Sequence, residues 1–204
     1  LTGDHGYALF DEIRRLLPDR YVNAGVAEQN MVCVAAGFAK AGLRPIFYGL
    51  SAFIPVRVLE QIKLDICYEE LPVVMIGDGA GFVYGALGAS HHSTEDISAL
   101  RAIPNVRILS PADAHEMTRA MELAFSAERP VYIRIGKCDI GAVHQGPIKY
   151  DWGELIKMHH GDGDVGFIAT GSMVAAALRE SGRWEGSSVW SAPSLKPLNI
   201  EQVV

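Results

Sequence analysis

The sequence has 204 residues, of which 49% are apolar and 21% are charged, and its formal net charge at pH 7 is −6. This balance excludes a largely disordered chain, and the negative charge gives no reason to expect nucleic acid or a membrane surface as a partner. Because no apolar run reaches the roughly 18 residues of a membrane-spanning helix and the cysteines are few and far apart, we expect a cytoplasmic protein without a disulfide framework.

Strand-like and helix-like patterns alternate through the first two thirds of the chain. In chain order, the patterns predict a helix at 7–17, a helix at 27–41, a strand at 44–48, a helix at 52–68, strands at 72–76 and 106–109, a helix at 112–127 and a strand at 130–135. Because the strand segments are apolar throughout, each should be buried on both faces. The sequence therefore predicts an α/β fold: a doubly wound, mostly parallel sheet with helices on both faces.

The pattern changes after residue 137. Residues 138–164 are rich in glycine and polar residues without a sustained period, which predicts a linker. A new strand–helix pattern begins at 165, but roughly 40 residues are too few for a second complete α/β domain. We therefore predict a first domain at 1–137, a linker at 138–164 and an incomplete second domain at 165–204. We also expect both ends to continue into a longer protein or to pair with another chain.

The most informative stretch is residues 23–31, Asn-Ala-Gly-Val-Ala-Glu-Gln-Asn-Met, where a strand ends, a glycine makes the turn and a helix begins. Glu28 lies in the first turn of that helix. Taken alone, a glutamate there simply complements the helix dipole. Further motifs follow at 88–91 (Gly-Ala-Ser-His), 110–113 (Ser-Pro-Ala-Asp) and 130–137, however, and they have to be interpreted together.

In this order and spacing the motifs resemble the pyrimidine-binding domain of transketolase-type thiamine diphosphate enzymes, over 1–137 and more weakly into 165–204. The chain particularly resembles the C-terminal subunit of split bacterial transketolases. This resemblance implies a transferase that moves a two-carbon ketol unit between sugar-like substrates. It also implies thiamine diphosphate shared with an N-terminal subunit, Mg²⁺ bound by that partner rather than by this chain, and a homodimer through the pyrimidine domains.

The resemblance assigns a cofactor role to four residues. Glu28 would bond the pyrimidine N1′ and favour the tautomer whose nitrogen takes the thiazolium proton, which makes it the central catalytic residue. Phe53 would pack on the aminopyrimidine ring, although a phenylalanine between a strand and a helix is often simple core packing. Asp4 and Leu50 complete the implied cofactor-binding set, and Leu50 replaces an aromatic residue of the family.

The resemblance also implies how the substrate is bound. His91 would reach the reacting carbonyl and the sugar hydroxyls, and Lys137 would bind a terminal phosphate in place of an arginine. Where the family has serine, histidine and aspartate, this sequence has Ala8, Gly79 and Leu87. Leucine cannot bond a hydroxyl and glycine has no side chain. We therefore expect a substrate that differs from the ordinary pentose phosphates.

Two metal-site interpretations stay open beside these roles. One is a cluster of histidines and carboxylates at 91–96, which is disfavoured because adjacent histidines point apart. The other is Gly-Asp-Gly at 77–79 with Asn105, which matches the spacing of the family's magnesium motif. Asn105 precedes a strand, however, whereas the family ligand ends one. We interpret the match as coincidence and predict no metal ligand in this chain.

Alternative functions also remain. A deoxyxylulose-phosphate-synthase-like ligase or the beta subunit of a 2-oxoacid dehydrogenase would use the same pyrimidine-domain machinery for decarboxylation. A non-catalytic dimerisation partner would explain the three missing sugar contacts, although the presence of Glu28 and Phe53 argues against a decayed site.

Overall fold

A computed structural model describes residues 1–136 and 141–202. Two compact units divide the chain. The first unit is Leu1–Val106 with Ala127–Tyr132, and the second unit is Arg107–Ser126 with Ile133–Val204. This division is discontinuous in sequence and differs from the predicted sequential domains, because a pattern of strands and helices does not state which elements pack together. Within the described ranges, no helix is long and apolar enough to cross a membrane.

The first unit is built on parallel strands. Strands β1 and β2 pair in parallel, with Ile46 opposite Val74 and Leu50 opposite Asp78. The strands are β1 (Ile46–Leu50) and β2 (Val74–Asp78). The helices are α1 (Asp11–Leu16), α2 (Glu28–Lys40), α3 (Leu59–Gln61) and α4 (Asp96–Arg101). Helix α3 continues as a π-helix over Ile62–Cys67. Three short 3₁₀ turns lie at Pro18–Arg20, Val56–Val58 and Gly85–Leu87.

Helix α2 is positioned by the packing of one apolar face. Its buried side chains recur at helical spacing and pack with β1 and with the segment that contains α3. They are Met31, Val32, Ala35, Ala36 and Ala39. The core around them contains Phe47, Ile54, Ile62 and Met75, each fully buried. This packing fixes the start of α2, and therefore Glu28, relative to the strands.

The second unit contains a three-stranded sheet with the order β5–β7–β6, in which β6 is parallel and β5 antiparallel to β7. A further strand pair is antiparallel, β3 with β8. The elements are β3 (Arg107–Leu109), α5 (Ala114–Ser126), β4 (Val131–Ile135, which begins in the first unit), β5 (Ile156–His159), β6 (Gly166–Ala169), α6 (Met173–Ser181), β7 (Ser188–Ser191), β8 (Ser194–Lys196) and a 3₁₀ turn (Ile200–Gln202).

The structure confirms the predicted α/β class with parallel strands but differs from the sequence pattern in three places. Strand β5 lies inside the range predicted as a linker; its residues alternate between half-buried and exposed, so it has no apolar run to reveal it. Strand β8 is only three residues long and lies where the sequence pattern predicts no strand. Helix α1 begins at Asp11 rather than near residue 7, because Gly6 and Ala8 have positive φ angles that a right-handed helix excludes.

Candidate active site

The turn that precedes α2 is stabilised by hydrogen bonds to the Asn23 side chain. The Asn23 side-chain oxygen accepts hydrogen bonds from the backbone N–H of Gly25 at 2.9 Å and of Asp4 at 3.1 Å. Asn23 also donates to the Asp4 carboxylate at 3.1 Å. Gly25 has a φ of +72°, which glycine adopts without strain. Asp4, predicted to bind the cofactor, is exposed and is hydrogen-bonded to the turn that precedes Glu28.

Glu28 is the first residue of α2, and only 4% of it is exposed. Its Oε1 accepts a hydrogen bond from Arg57 Nη1 at 3.2 Å. A buried carboxylate needs such a partner, because an unpaired charge in the interior is strongly destabilising. The Arg57 guanidinium also lies over the Phe53 ring, with Cζ 3.9 Å from the centroid. Arg57 therefore contacts both the predicted catalytic carboxylate and the predicted pyrimidine-binding ring.

Two imidazoles complete this group. The His91 ring lies 5.5 Å from the Phe53 centroid in an edge-to-face arrangement, and the His5 ring lies 6.0 Å from it on a tilted approach. His91 Nδ1 is 3.0 Å from Ser90 Oγ. His5 Nδ1 is buried and has no hydrogen-bond partner among the described residues. The structure thus brings together Glu28, Phe53 and His91, which the sequence singled out. We call these three residues with Arg57 and His5 the Glu28 cluster.

Leu50 shapes the backbone around Phe53. It ends β1, is half-buried, and its carbonyl accepts the N–H groups of Phe53 at 2.9 Å and Ile54 at 2.8 Å. These bonds make the turn that presents the Phe53 ring. The remaining predicted substrate residue, Lys137, lies outside the described residues.

A closed loop carries His91. Backbone hydrogen bonds in both directions between Gly81 and Ser93, each 2.9 Å, join the two ends of the loop. Leu87, where the family has an aspartate, is 56% exposed in this loop. Its side chain therefore presents an apolar surface.

Tyr84 lies beside Gly79, another of the altered positions. A Cβ atom built on Gly79 would overlap the Tyr84 ring, so the ring takes the space of a side chain at residue 79. Asp78 Oδ2 accepts hydrogen bonds from Tyr84 at 3.0 Å and from Tyr48 at 2.9 Å. Burial, followed by the Asp78 charge, raises the pKa of Tyr84 to about 12. The hydroxyl therefore stays protonated and keeps donating at neutral pH. The ring centroid of Tyr84 is 6.5 Å from that of His91.

Asp78 of the Gly-Asp-Gly segment and Asn105 form hydrogen bonds with different residues. Asp78 is the last residue of β2 and binds the two tyrosine hydroxyls. Asn105 donates to the carbonyl of Cys67 at 3.1 Å and accepts from Arg129 at 3.5 Å, and these two residues precede β2 and β4. The two side chains therefore share no hydrogen-bond partner among the described residues.

The histidine–carboxylate group at 91–96 has other partners. The His92 ring packs edge-to-face on Phe82, and Glu95 accepts hydrogen bonds from the backbone and hydroxyl of the preceding threonine. Asp96 is fully buried and accepts from the Tyr132 hydroxyl at 2.9 Å. Within residues 1–136 and 141–202, no group of three or more histidine, cysteine, aspartate or glutamate side chains has the arrangement of a metal site.

The Glu28 cluster has the chemistry of a site for a flat nitrogen heterocycle. A buried carboxylate can share a proton with a ring nitrogen, and an aromatic face packs on such a ring. The buried, unpartnered Nδ1 of His5 adds a polar atom that a ligand could satisfy. These residues fit the aminopyrimidine of thiamine diphosphate. Sequence reasoning missed His5 and gave Arg57 no role. His5 follows Asp4 directly, which is the one available signal for it.

A parallel α/β unit that places a buried glutamate at a helix start beside an aromatic ring is typical of the pyrimidine-binding half of a thiamine diphosphate enzyme. The family model "Transketolase, pyrimidine binding domain" matches residues 2–141. The chain therefore belongs to the transketolase pyrimidine-binding domain family.

Similarity to individual proteins supports this family assignment. The chain is 40% identical over 202 residues to 1-deoxy-D-xylulose-5-phosphate synthase of Oleidesulfovibrio alaskensis, covering 95% of this chain and 31% of that protein. It is 32% identical over 209 residues to an apulose-4-phosphate transketolase subunit of Phocaeicola vulgatus, covering 99% and 66%. A solved split-gene transketolase, an inactive beta4 tetramer, is 30% identical with a TM-score of 0.87, covering 100% and 68%. The chain thus spans about a third of one relative and about two thirds of the other two.

Proposed function

We propose that this chain supplies the pyrimidine-binding, proton-exchanging half of a thiamine diphosphate-dependent, transketolase-like transferase that moves a two-carbon ketol unit between sugar-like substrates. The observation that carries the proposal is the Glu28 carboxylate, which is 4% exposed at the start of α2 and joined through Arg57 to the Phe53 ring. Family membership supplies the context in which this geometry has a chemical use.

Three residues of the Glu28 cluster have separate tasks in this proposal. When bound, thiamine diphosphate supplies a nucleophilic carbon and disperses negative charge. Glu28 would hold or release a proton at the pyrimidine N1′, in a position where burial excludes water. Phe53 would orient the pyrimidine ring by packing on its face. His91 would hold or move a proton at the substrate carbonyl oxygen, for which imidazole is suited near neutral pH.

We further propose that the diphosphate and its Mg²⁺ are bound by a partner, the N-terminal subunit of a split transketolase. The relative from Phocaeicola vulgatus is named as a subunit of its transketolase, which supports a divided enzyme. Large apolar side chains exposed in the first 26 residues support a protein partner for this part of the chain. They are Tyr7, Leu9, Leu16, Leu17 and Val26, each more than half exposed.

We also propose a homodimer through the pyrimidine domains, although most of the surface that the sequence suggests for the contact is buried. The apolar run from Met31 to Phe38 looks from sequence like a contact surface, but Met31, Val32 and Ala35 are fully buried in their own unit. The exposed residues of α2 are instead Gln29, Asn30, Cys33, Gly37 and Lys40. Sedimentation equilibrium of the reconstituted complex checks the dimer, and a complex with one copy of this chain at high concentration contradicts it.

Hydrogen–deuterium exchange at the thiazolium carbon tests the central claim without knowledge of the substrate. In the complex reconstituted with the partner subunit, Glu28→Gln keeps the side-chain shape but removes the ionisable group. We expect exchange to slow by more than about 10²-fold. The matched control is Glu122→Gln, which breaks a glutamate–arginine pair of 2.9 Å whose glutamate is exposed. Exchange at the wild-type rate in Glu28→Gln would reduce Glu28 to a helix-end carboxylate.

A second candidate is decarboxylative ligation of the deoxyxylulose-phosphate-synthase type. The 40% identity to a protein of that name favours it. The Glu28 chemistry is common to both reactions, so the exchange experiment does not separate them. Release of carbon dioxide from pyruvate by the reconstituted complex would favour ligation, and ketol transfer between ketose and aldose phosphates without such release would favour the transketolase reaction.

A further inference from the structure

Arg57 and His5 are the members of the Glu28 cluster with no assigned role, and Arg57 contacts both Glu28 and Phe53. We propose that Arg57 is a positioning residue that fixes the Glu28 carboxylate against the Phe53 ring, so that the pyrimidine meets both in one geometry. The inference rests on the proposed function of Glu28. It concerns how the site is held together rather than which group exchanges the proton.

The geometry behind this proposal is a single guanidinium with two contacts. Arg57 Nη1 lies 3.2 Å from Glu28 Oε1, and Arg57 Cζ lies 3.9 Å from the Phe53 ring centroid. Phe53 is only four residues away in sequence, whereas Glu28 lies 29 residues away on a different element. The local contact therefore orients the guanidinium, and the long-range contact transmits that orientation to the carboxylate.

The pairing also leaves part of the carboxylate available. Arg57 binds Oε1 alone, and no hydrogen bond to Glu28 Oε2 is formed within the described part of the chain. A carboxylate with one oxygen fixed and the other open can accept a ligand without rearranging, which preserves binding free energy. Arg57 is half-exposed, with 46% of its side chain accessible, so it holds the buried carboxylate from the solvent side.

The two contacts require arginine rather than a positive charge alone. A guanidinium is planar, so it can lie flat on a ring while an N–H at its edge donates to a carboxylate. Lysine keeps the charge but presents a compact ammonium that cannot match both contacts in this way. Methionine keeps most of the aliphatic volume and loses both. Arg57→Lys and Arg57→Met therefore separate the charge from the shape.

The test measures thiamine diphosphate affinity by calorimetry, in the presence of Mg²⁺, and thiazolium proton exchange, both on the complex with the partner subunit. We expect Arg57→Met to weaken affinity by about 10- to 100-fold and to slow exchange, as for loss of a hydrogen bond to a charged group. Arg57→Lys should recover part of both. Arg183→Met is the control, because Arg183 pairs with Glu180 at 3.0 Å on an exposed surface.

A double-mutant cycle separates positioning from general loss of structure. If Arg57 acts through Glu28, Arg57→Met should cost clearly less affinity in a Glu28→Gln background than in the wild type. Equal costs in the two backgrounds, or tighter binding of the cofactor to Arg57→Met, would overturn the inference. If Glu28→Gln abolishes exchange but Arg57→Met matches the wild type, the inference fails and the proposed function stands. Wild-type exchange in Glu28→Gln would overturn both.

Discussion

The ring of Tyr84 fills the space that a side chain at Gly79 would occupy. The glycine has a φ of +81°, and a Cβ there would overlap the ring. Asp78, the residue before the glycine, holds the ring in place by accepting a hydrogen bond from the Tyr84 hydroxyl at 3.0 Å. The absence of a side chain at residue 79 is therefore coupled to the presence of a tyrosine at residue 84.

We expect Gly79→Ala to lower the free energy of unfolding by about 2–4 kcal/mol, because it combines a strained φ with a steric overlap. Urea unfolding measures the change. Gly42→Ala is the matched control: Gly42 has a φ of +86° and nothing lies within 4 Å of the position that an added methyl group would take, so it reports the cost of the φ angle alone. Equal losses in the two variants would show that the Tyr84 ring moves aside without cost.

The parts of the fold that can be predicted from sequence are those with strong periodic signals. The pattern places helix α2 at 27–41 and the structure has it at Glu28–Lys40, because its buried residues recur at helical spacing. Strands β1 and β2 have continuous apolar runs and are also predictable. Strands β5 and β8 give no such signal, since they are short and defined by antiparallel pairing with distant partners. Pairing of that kind depends on tertiary structure.

The site is predictable to the extent that its residues lie in motifs. Glu28, Phe53 and His91 can be chosen from sequence. In the structure His91 packs on the Phe53 ring, and Arg57 joins Glu28 to that ring. The role of Arg57 is not predictable, because an arginine in a 3₁₀ turn usually faces solvent. Its pairing with Glu28 arises only when the turn packs beside the start of α2.

Asp113 links helix α5 to a distant segment of the second unit. Its Oδ1 accepts the N–H groups of His115 and Glu116 at 3.0 Å, which caps the helix. Its Oδ2 accepts the N–H groups of Val143 and His144 at 2.9 Å. Burial raises the pKa of Asp113, but hydrogen bonds from the backbone of Glu116 and His144 outweigh it, so the pKa lies below its ordinary value.

The direction of this pKa shift predicts a pH dependence. Because the folded-state pKa of Asp113 is depressed, its ionisation stabilises the fold above the unfolded-state pKa of about 3.9, and the contribution is lost as the pH falls through the folded-state value. Asp113→Asn should therefore cost about 2–4 kcal/mol of unfolding free energy at neutral pH and progressively less below about pH 4. Urea titrations at several pH values test this. A cost that does not change with pH would contradict it, and Asp151→Asn, at an exposed position, is the control.

His91 should affect a later step than Glu28. We expect His91→Ala in the reconstituted complex to leave thiazolium proton exchange near the wild-type rate, because His91 packs on Phe53 whereas the Glu28 carboxylate is bonded to Arg57. Turnover should fall by about 10²- to 10⁴-fold, as for loss of a general acid–base group. His92→Ala is the neighbouring control, since that ring packs on Phe82 instead. If His91→Ala stops exchange as well, His91 supports the cofactor site and its assignment to the substrate is wrong.

We expect His5 to lower the stability of the ligand-free protein and to strengthen ligand binding. Its Nδ1 is buried without a hydrogen-bond partner among the described residues, which leaves a desolvated polar atom beside the Phe53 ring. Replacement by leucine removes that atom, so we expect His5→Leu to unfold at an equal or higher urea concentration while its complex binds thiamine diphosphate about 10-fold more weakly. A loss of affinity without a loss of stability is the signature of a group kept for binding. His159→Leu, on an exposed position of β5, is the control. Lower stability with unchanged affinity would instead make His5 an ordinary packing residue.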